Sequence, residues 1–79
     1  MRHPLLSEGA LRELGARLAA LRAERGLRTV DVAAAVGVHR IQIGQYERAH
    51  KSPSLGSLMG LARALGVDPC ELVRGLHLL

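Results

Sequence analysis

Phenylalanine and tryptophan are missing from this 79-residue chain, and Tyr46 is its one aromatic side chain. The base-stacking platforms of single-strand binders and many RNA binders are therefore excluded, because each stacked base needs an aromatic face. Cysteine is nearly as scarce: Cys70 stands alone, so no internal disulfide can form and no redox compartment is implied. Its place near a helix start would favour a thiolate, and the plainer reading is a small, unreactive filler. No apolar run approaches the roughly 18 residues of a membrane span. The opening MRHPLLSEG lacks the long apolar region of a signal peptide, so the expected compartment is the cytoplasm, with no membrane partner. The histidines His3, His39, His50 and His77 do not fall at metal-ligand spacing with Cys70. Phosphate-binding glycine loops and acid pairs are missing too, so no metal, no cofactor and no enzyme are expected.

What is present is short and helical. A chain of this length makes one domain, residues 1–79, near the lower size at which one core is self-sufficient. Its net charge is +4, and the placement of that charge says more than its size. Between Arg25 and Lys51, five basic residues (Arg25, Arg28, Arg40, Arg48, Lys51) face two acidic ones (Asp31, Glu47), which leaves +3 there and +1 elsewhere. A surface that meets phosphates looks like this, and so does an ordinary solvated basic face.

Leu11, Leu14, Leu18 and Leu21 recur at steps of three and four beside Ala10, which predicts a helix from about Ser7, its N-cap, to Arg25, closed by Gly26. A leucine stripe of this kind is core. After Pro53, Ser54 caps a helix striped by Leu55, Leu58, Leu61, Ala62 and Leu65 and ended by Gly66. A last helix starts at Asp68, with Pro69 in its first position and Glu71 placed to complete a capping box; Gly75 ends it. Residues 74–79 form an apolar tail in which Leu76, Leu78 and Leu79 suit either a dimer contact or a core cover.

The middle of the chain, Thr29 to Arg48, holds two short helices of different phase. Val32, Ala33 and Val36 mark the first, at about Thr29 to Val36, and Ile43 and Tyr46 the second, at about His39 to Arg48. Gly37 between them reaches positive φ at little cost, and small Ala33 lets the second helix cross close over the first. Val32, Val36, Val38, Ile43 and Tyr46 would fill the wedge. At 100° per residue, Arg40, Ile41, Gly44, Gln45 and Arg48 fall on the side opposite Ile43 and Tyr46, facing out. Gly44 inside a helix costs about 1 kcal/mol against alanine. It would admit a close approach of DNA, or it is neutral drift.

With these pieces in order, LGARLAALRAERGL, VAAAVGV, IGQYER, SPSLGSLMGLARALGV and DPCELV, the segment from Leu14 to Val73 resembles the phage-repressor and Cro family of helix-turn-helix regulators, also called the xenobiotic-response-element (XRE) family. The resemblance implies an all-α, five-helix, lambda-repressor-like bundle whose second motif helix lies in the major groove. It places base-edge contacts at Arg40, Ile41 and Gln45. These side chains have the chemistry for such contacts, Arg for guanine, Gln for adenine and Ile for a thymine methyl. The resemblance also pairs Arg22 with Glu47 as a structural ion pair. Where the family has a serine cap and a phosphate-binding glutamine, this chain has Arg28 and Thr29, which are expected to take over that contact. Ala49 replaces the glycine that closes the motif in the family, so the helix should run on for a residue or the turn be reshaped. Lys51 and Arg48 are the other expected phosphate contacts, with His50 and Ser52 weaker.

The implied function is a sequence-specific duplex-DNA-binding transcription regulator, a repressor acting as a homodimer. An antitoxin whose main partner is a toxin protein, or a coactivator that uses the fold without reading bases, would share every feature so far. Steep salt dependence and discrimination of an operator from random duplex separate the first reading from the other two.

Overall fold

The computed structural model describes residues 7–76. Five helices occupy it in the order α1 (Glu8–Glu24), α2 (Thr29–Val36), α3 (Arg40–Glu47), α4 (Leu55–Leu65) and α5 (Pro69–Val73), with no strand among the described residues. His3, His77, Leu78 and Leu79 lie outside these residues; Leu76 lies inside them and packs against the core.

Local chemistry sets the helix starts. Ser7 Oγ accepts the Ala10 N–H at 3.0 Å, and Ser54 Oγ accepts that of Ser57 at 3.1 Å. Each bond satisfies one of the amide donors that a first turn leaves unpaired. At α5 the expected reciprocal box is not formed. The Asp68 carboxylate accepts the Cys70 N–H at 2.8 Å, while the Glu71 N–H goes to the Asp68 carbonyl at 2.9 Å and the Glu71 side chain stays exposed. A carboxylate bond back to the capping backbone is found instead at α2, where Asp31 accepts the Arg28 N–H at 2.8 Å.

The ends of α1, α2, α3 and α4 share one design, whereas after α5 the Leu76 N–H returns only to the Val73 carbonyl, at 3.1 Å. The residue after the left-handed position donates back across six residues: Leu27 to the Arg22 carbonyl, Val38 to Ala33, His50 to Gln45 and Val67 to Ala62. Gly37 takes φ 86 in the motif turn, as its lack of Cβ permits. Ala49 occupies the matching position after α3 with φ 61, as the one non-glycine residue at positive φ among the described residues. Helix α3 therefore does not run on and the turn is not reshaped. The two bonds from Ala49 and His50 back to Tyr46 and Gln45, at 3.1 and 2.8 Å, hold the alanine in a backbone that its Cβ disfavours.

Leu14 and Leu18 of α1, Val32 and Ala33 of α2, Ile43 and Tyr46 of α3, Leu61, Ala62 and Leu65 of α4 and Leu72 of α5 make one continuous buried cluster. Val36 and Val38 pack against its edge, so the wedge between α2 and α3 is filled as their spacing predicts. Leu55 departs from expectation. It lies at the rim of the α4 stripe, in the first turn, and is 76% exposed, with none of the described helices covering it.

Helix α1 and the end of α3 approach each other closely at Gly15. A Cβ on Gly15 would stand 2.5 Å from the Glu47 carbonyl oxygen and 2.7 Å from that of Tyr46. Gly15 thus fixes how near the two helices sit, and near it the Arg22 guanidinium clamps Glu47. Its Nε donates at 2.7 Å and Nη2 at 3.0 Å to the two carboxylate oxygens, while Nη1 donates to the Leu27 carbonyl at 2.9 Å. One side chain ties the α1–α2 turn to the end of α3. On the far side of α1, Arg17 Nη1 reaches the Leu72 carbonyl at 3.1 Å and so caps the end of α5.

Candidate nucleic-acid interface

Helix α3 presents one face to the core and the other to solvent. Ile43 and Tyr46 are 2% exposed, whereas Ile41 is 58% exposed and Arg40 and Arg48 flank it on the outer side. Gln45 is half-buried on the same side. Burial thus separates the two groups as a turn of 100° per residue does. An apolar side chain turned outward on a helix that has a core to fill is informative mainly by its company, here two cations. Among the described residues, neither Arg40 nor Arg48 has a carboxylate within ion-pair distance.

The outer helix is held at both ends. At its start, His39 Nδ1 accepts the Ile41 N–H at 3.1 Å and so acts as the N-cap. At its end, Glu47 is locked to Arg22, whose affinity for its proton is raised first by the hydrogen bonds from Arg22 to Glu47 and then by that carboxylate's charge, against the effect of burial. Gln42 Nε2 donates to the Tyr46 hydroxyl at 2.6 Å along the inner edge.

The flanking cations differ in freedom. Arg28 is exposed, but its guanidinium donates through Nε and Nη2 to Asp31 at 3.2 and 3.1 Å. This pair raises the Arg28 pKa and, with the Arg28 N–H, depresses that of Asp31 below its usual 3.8. A phosphate would have to compete with Asp31 for Arg28. Thr29 is half-buried in the first turn of α2. Lys51 is exposed in the loop after α3, beside His50 and the half-buried Ser52.

Away from this face the site candidates are few. Cys70 is exposed, and its thiol is not activated: the hydrogen bond to Asp68 and the charge of that carboxylate push it up from the ordinary value. Among the described residues there is no group of three His, Cys, Asp or Glu side chains that could hold a metal ion, and no helix is long and apolar enough to cross a membrane.

Two features escape a reading of the sequence alone. Gly15 gives no signal beyond being a glycine in a good helix pattern, a position where one costs stability and so asks for a reason. The Arg28–Asp31 pair does leave a trace, as opposite charges three residues apart at a helix start.

Two short helices joined through a left-handed glycine, the second bare and basic on one side and bolted to a supporting helix on the other, define a helix-turn-helix. A family model described as a helix-turn-helix domain matches residues 13–74, and the chain belongs to that family. The family and its fold are non-enzymatic. An HTH-type transcriptional regulator, DdrOP3, from Deinococcus deserti is 38% identical over 61 residues, 77% of this chain and 47% of the relative. This chain thus spans about half the length of that relative. Among solved structures, the restriction-modification controller protein C.AhdI from Aeromonas hydrophila superposes with a TM-score of 0.79 at 36% identity, covering 81% of this chain and 97% of that one. The P22 c2 repressor in complex with a synthetic operator superposes with a TM-score of 0.74 at 32% identity, covering 78% of this chain and 94% of that one. The all-α, five-helix, repressor-like fold is thus shown, and with it the Cro and phage-repressor kinship.

Proposed function

We propose that this chain is a DNA-binding transcription regulator, a repressor, that inserts α3 into the major groove as a homodimer. The observation that carries the reading is the outer face of α3, where Arg40 and Ile41 stand exposed on a helix braced at both ends. A cationic face that finds no carboxylate partner among the described residues is free to exchange counterions for phosphates. The likeness to a repressor solved on its operator supports the same reading. Arg40, Ile41 and Gln45 read base edges in this proposal. Lys51, Arg48, Thr29 and Arg28 meet phosphates, Arg28 at the expense of its bond to Asp31. The cytoplasm is the compartment that fits.

Selection of bound duplexes from a random library tests this directly: a recurrent sequence is expected, and enrichment of none would overturn the reading. On the selected duplex, Arg40→Ala should cost about 1–3 kcal/mol and relax preference at one base pair. Lys51→Ala should weaken all sequences alike and lower the salt slope by about one. Identical behaviour of the two variants would defeat the division of roles between them.

A further inference from the structure

Gly44 lies in the middle of the outer face of α3, one turn after Arg40 and one turn before Arg48. Glycine within a helix costs stability, so its presence on an outward-facing surface, where many residues fit, asks for an explanation. The structure supplies one. A Cβ at position 44 would stand 2.9 Å from Arg48 Nη1, 3.3 Å from Nη2 and 3.4 Å from Cζ. The guanidinium of Arg48 is folded back along the helix and lies so close to Gly44 that any other residue's Cβ would press against it and push it aside.

That position changes what Arg48 can touch. Arg48 is the C-cap residue of α3 and, extended, would reach outward from the end of the helix to the backbone flank. Folded back by one turn, its planar head sits beside Gly44, on the face proposed to look at base edges. A guanidinium there can offer two parallel N–H donors, the fork that matches guanine O6 and N7.

We propose that Gly44 is a specificity-determining residue of the interface: by having no side chain it seats Arg48 among the base-edge readers, making Arg48 a reader and not only a phosphate contact. The inference rests on the DNA-binding reading above. Gly44 acts through Arg48 and is therefore a positioning residue.

A double-mutant cycle on the selected duplex and its single-base-pair variants tests it. Gly44→Ala should evict the guanidinium, and discrimination at one base pair should fall about fivefold or more. Arg48→Ala should lose discrimination at that same base pair, and adding Gly44→Ala to it should change nothing further, since the group it displaces is gone. The fold is not at risk, because alanine favours helix and the nearest atoms in its way belong to a flexible side chain. Thermal melting of each variant checks this. Uniform weakening on all sequences by both variants, full additivity, or Gly44→Ala binding with unchanged preference would each overturn the proposal. If the parent protein selects no duplex, the failure belongs to the DNA-binding reading itself, which separates the two.

Discussion

Ala49 holds a backbone conformation that costs an L-residue with a Cβ about 1–2 kcal/mol. The hydrogen bonds from Ala49 and His50 back into α3 keep it there at φ 61. Ala49→Gly should remove that cost while adding some freedom to the unfolded chain, for a net gain of about 1 kcal/mol. In a domain of this size that raises the melting temperature by roughly 4–8 °C. A lower melting temperature would mean that the left-handed turn is not at residue 49. Gly15 has the opposite sign. Alanine there improves helix propensity by about 1 kcal/mol, yet its Cβ meets backbone oxygens of α3 that cannot step aside. The net effect of Gly15→Ala should be a loss of about 1–3 kcal/mol, read as a lower urea midpoint. Two substitutions at helix-ending and helix-packing positions thus move stability in opposite directions for reasons that composition does not show.

At the scale of the elements, the caps and one ion pair decide how α2, α3 and α5 are held. Removing the Glu47 carboxylate leaves the partly buried Arg22 with the Leu27 carbonyl as its one partner among the described residues, so Glu47→Ala should cost about 1–3 kcal/mol and lower the melting temperature. Arg22→Lys should fall short of the parent's stability as well, because an ammonium cannot make both bonds of the fork at once. An unchanged melting curve in Glu47→Ala would show that the clamp holds nothing. The caps add a dependence on acid. Asp31, bonded first by the Arg28 guanidinium and then by its N–H, and Asp68, bonded by the Cys70 N–H, both have folded pKa values below 3.8. A depressed carboxylate stabilises the fold above its unfolded pKa, and that contribution is lost as pH falls through the lower folded value. Melting temperature should therefore hold down to about the ordinary carboxylate pKa and drop below it, less steeply in Asp31→Asn and Asp68→Asn than in the parent.

The helices themselves are legible in the sequence because their signals are local: stripes at steps of three and four, Ser7 and Ser54 before them, glycines after them. The α5 cap is half legible, since the sequence offers Asp68 and Glu71 but cannot say that the Glu71 amide will settle on the Asp68 carbonyl. Leu55 is misplaced for a related reason. Periodicity assigns it to a stripe, while burial depends on whether another helix reaches that turn. On the outer face of α3 the sequence separates Arg40, Ile41 and Gln45 from Ile43 and Tyr46 by phase alone. It leaves the posture of Arg48 open, because no pattern records where a flexible side chain folds back. Gly15 stays silent for the same reason as Leu55: its partner, the end of α3, is distant in sequence.

For the whole molecule, size bears on how it would engage DNA. The described unit measures 32 × 23 × 19 Å, and a single eight-residue helix in a groove buries too little surface for strong discrimination. Successive major grooves on one side of B-DNA lie about 34 Å apart. Two copies side by side, each about as long as that spacing, can place one α3 in each of two such grooves while touching across the dyad. A selected site should therefore be a pseudo-palindrome with half-sites one helical turn apart, bound by two chains per duplex. Of the tail leucines, Leu76 is half-buried against the core; Leu55 and Met59, 76% and 50% exposed one turn apart on α4, are further apolar surface. Inserting about five base pairs between the half-sites, half of a helical turn, rotates one of them to the far side of the duplex and should reduce binding to that of a single half-site. Equal affinity for the parent site and the half-turn insertion, or one chain per duplex in sedimentation at saturating protein, would show that one copy acts alone.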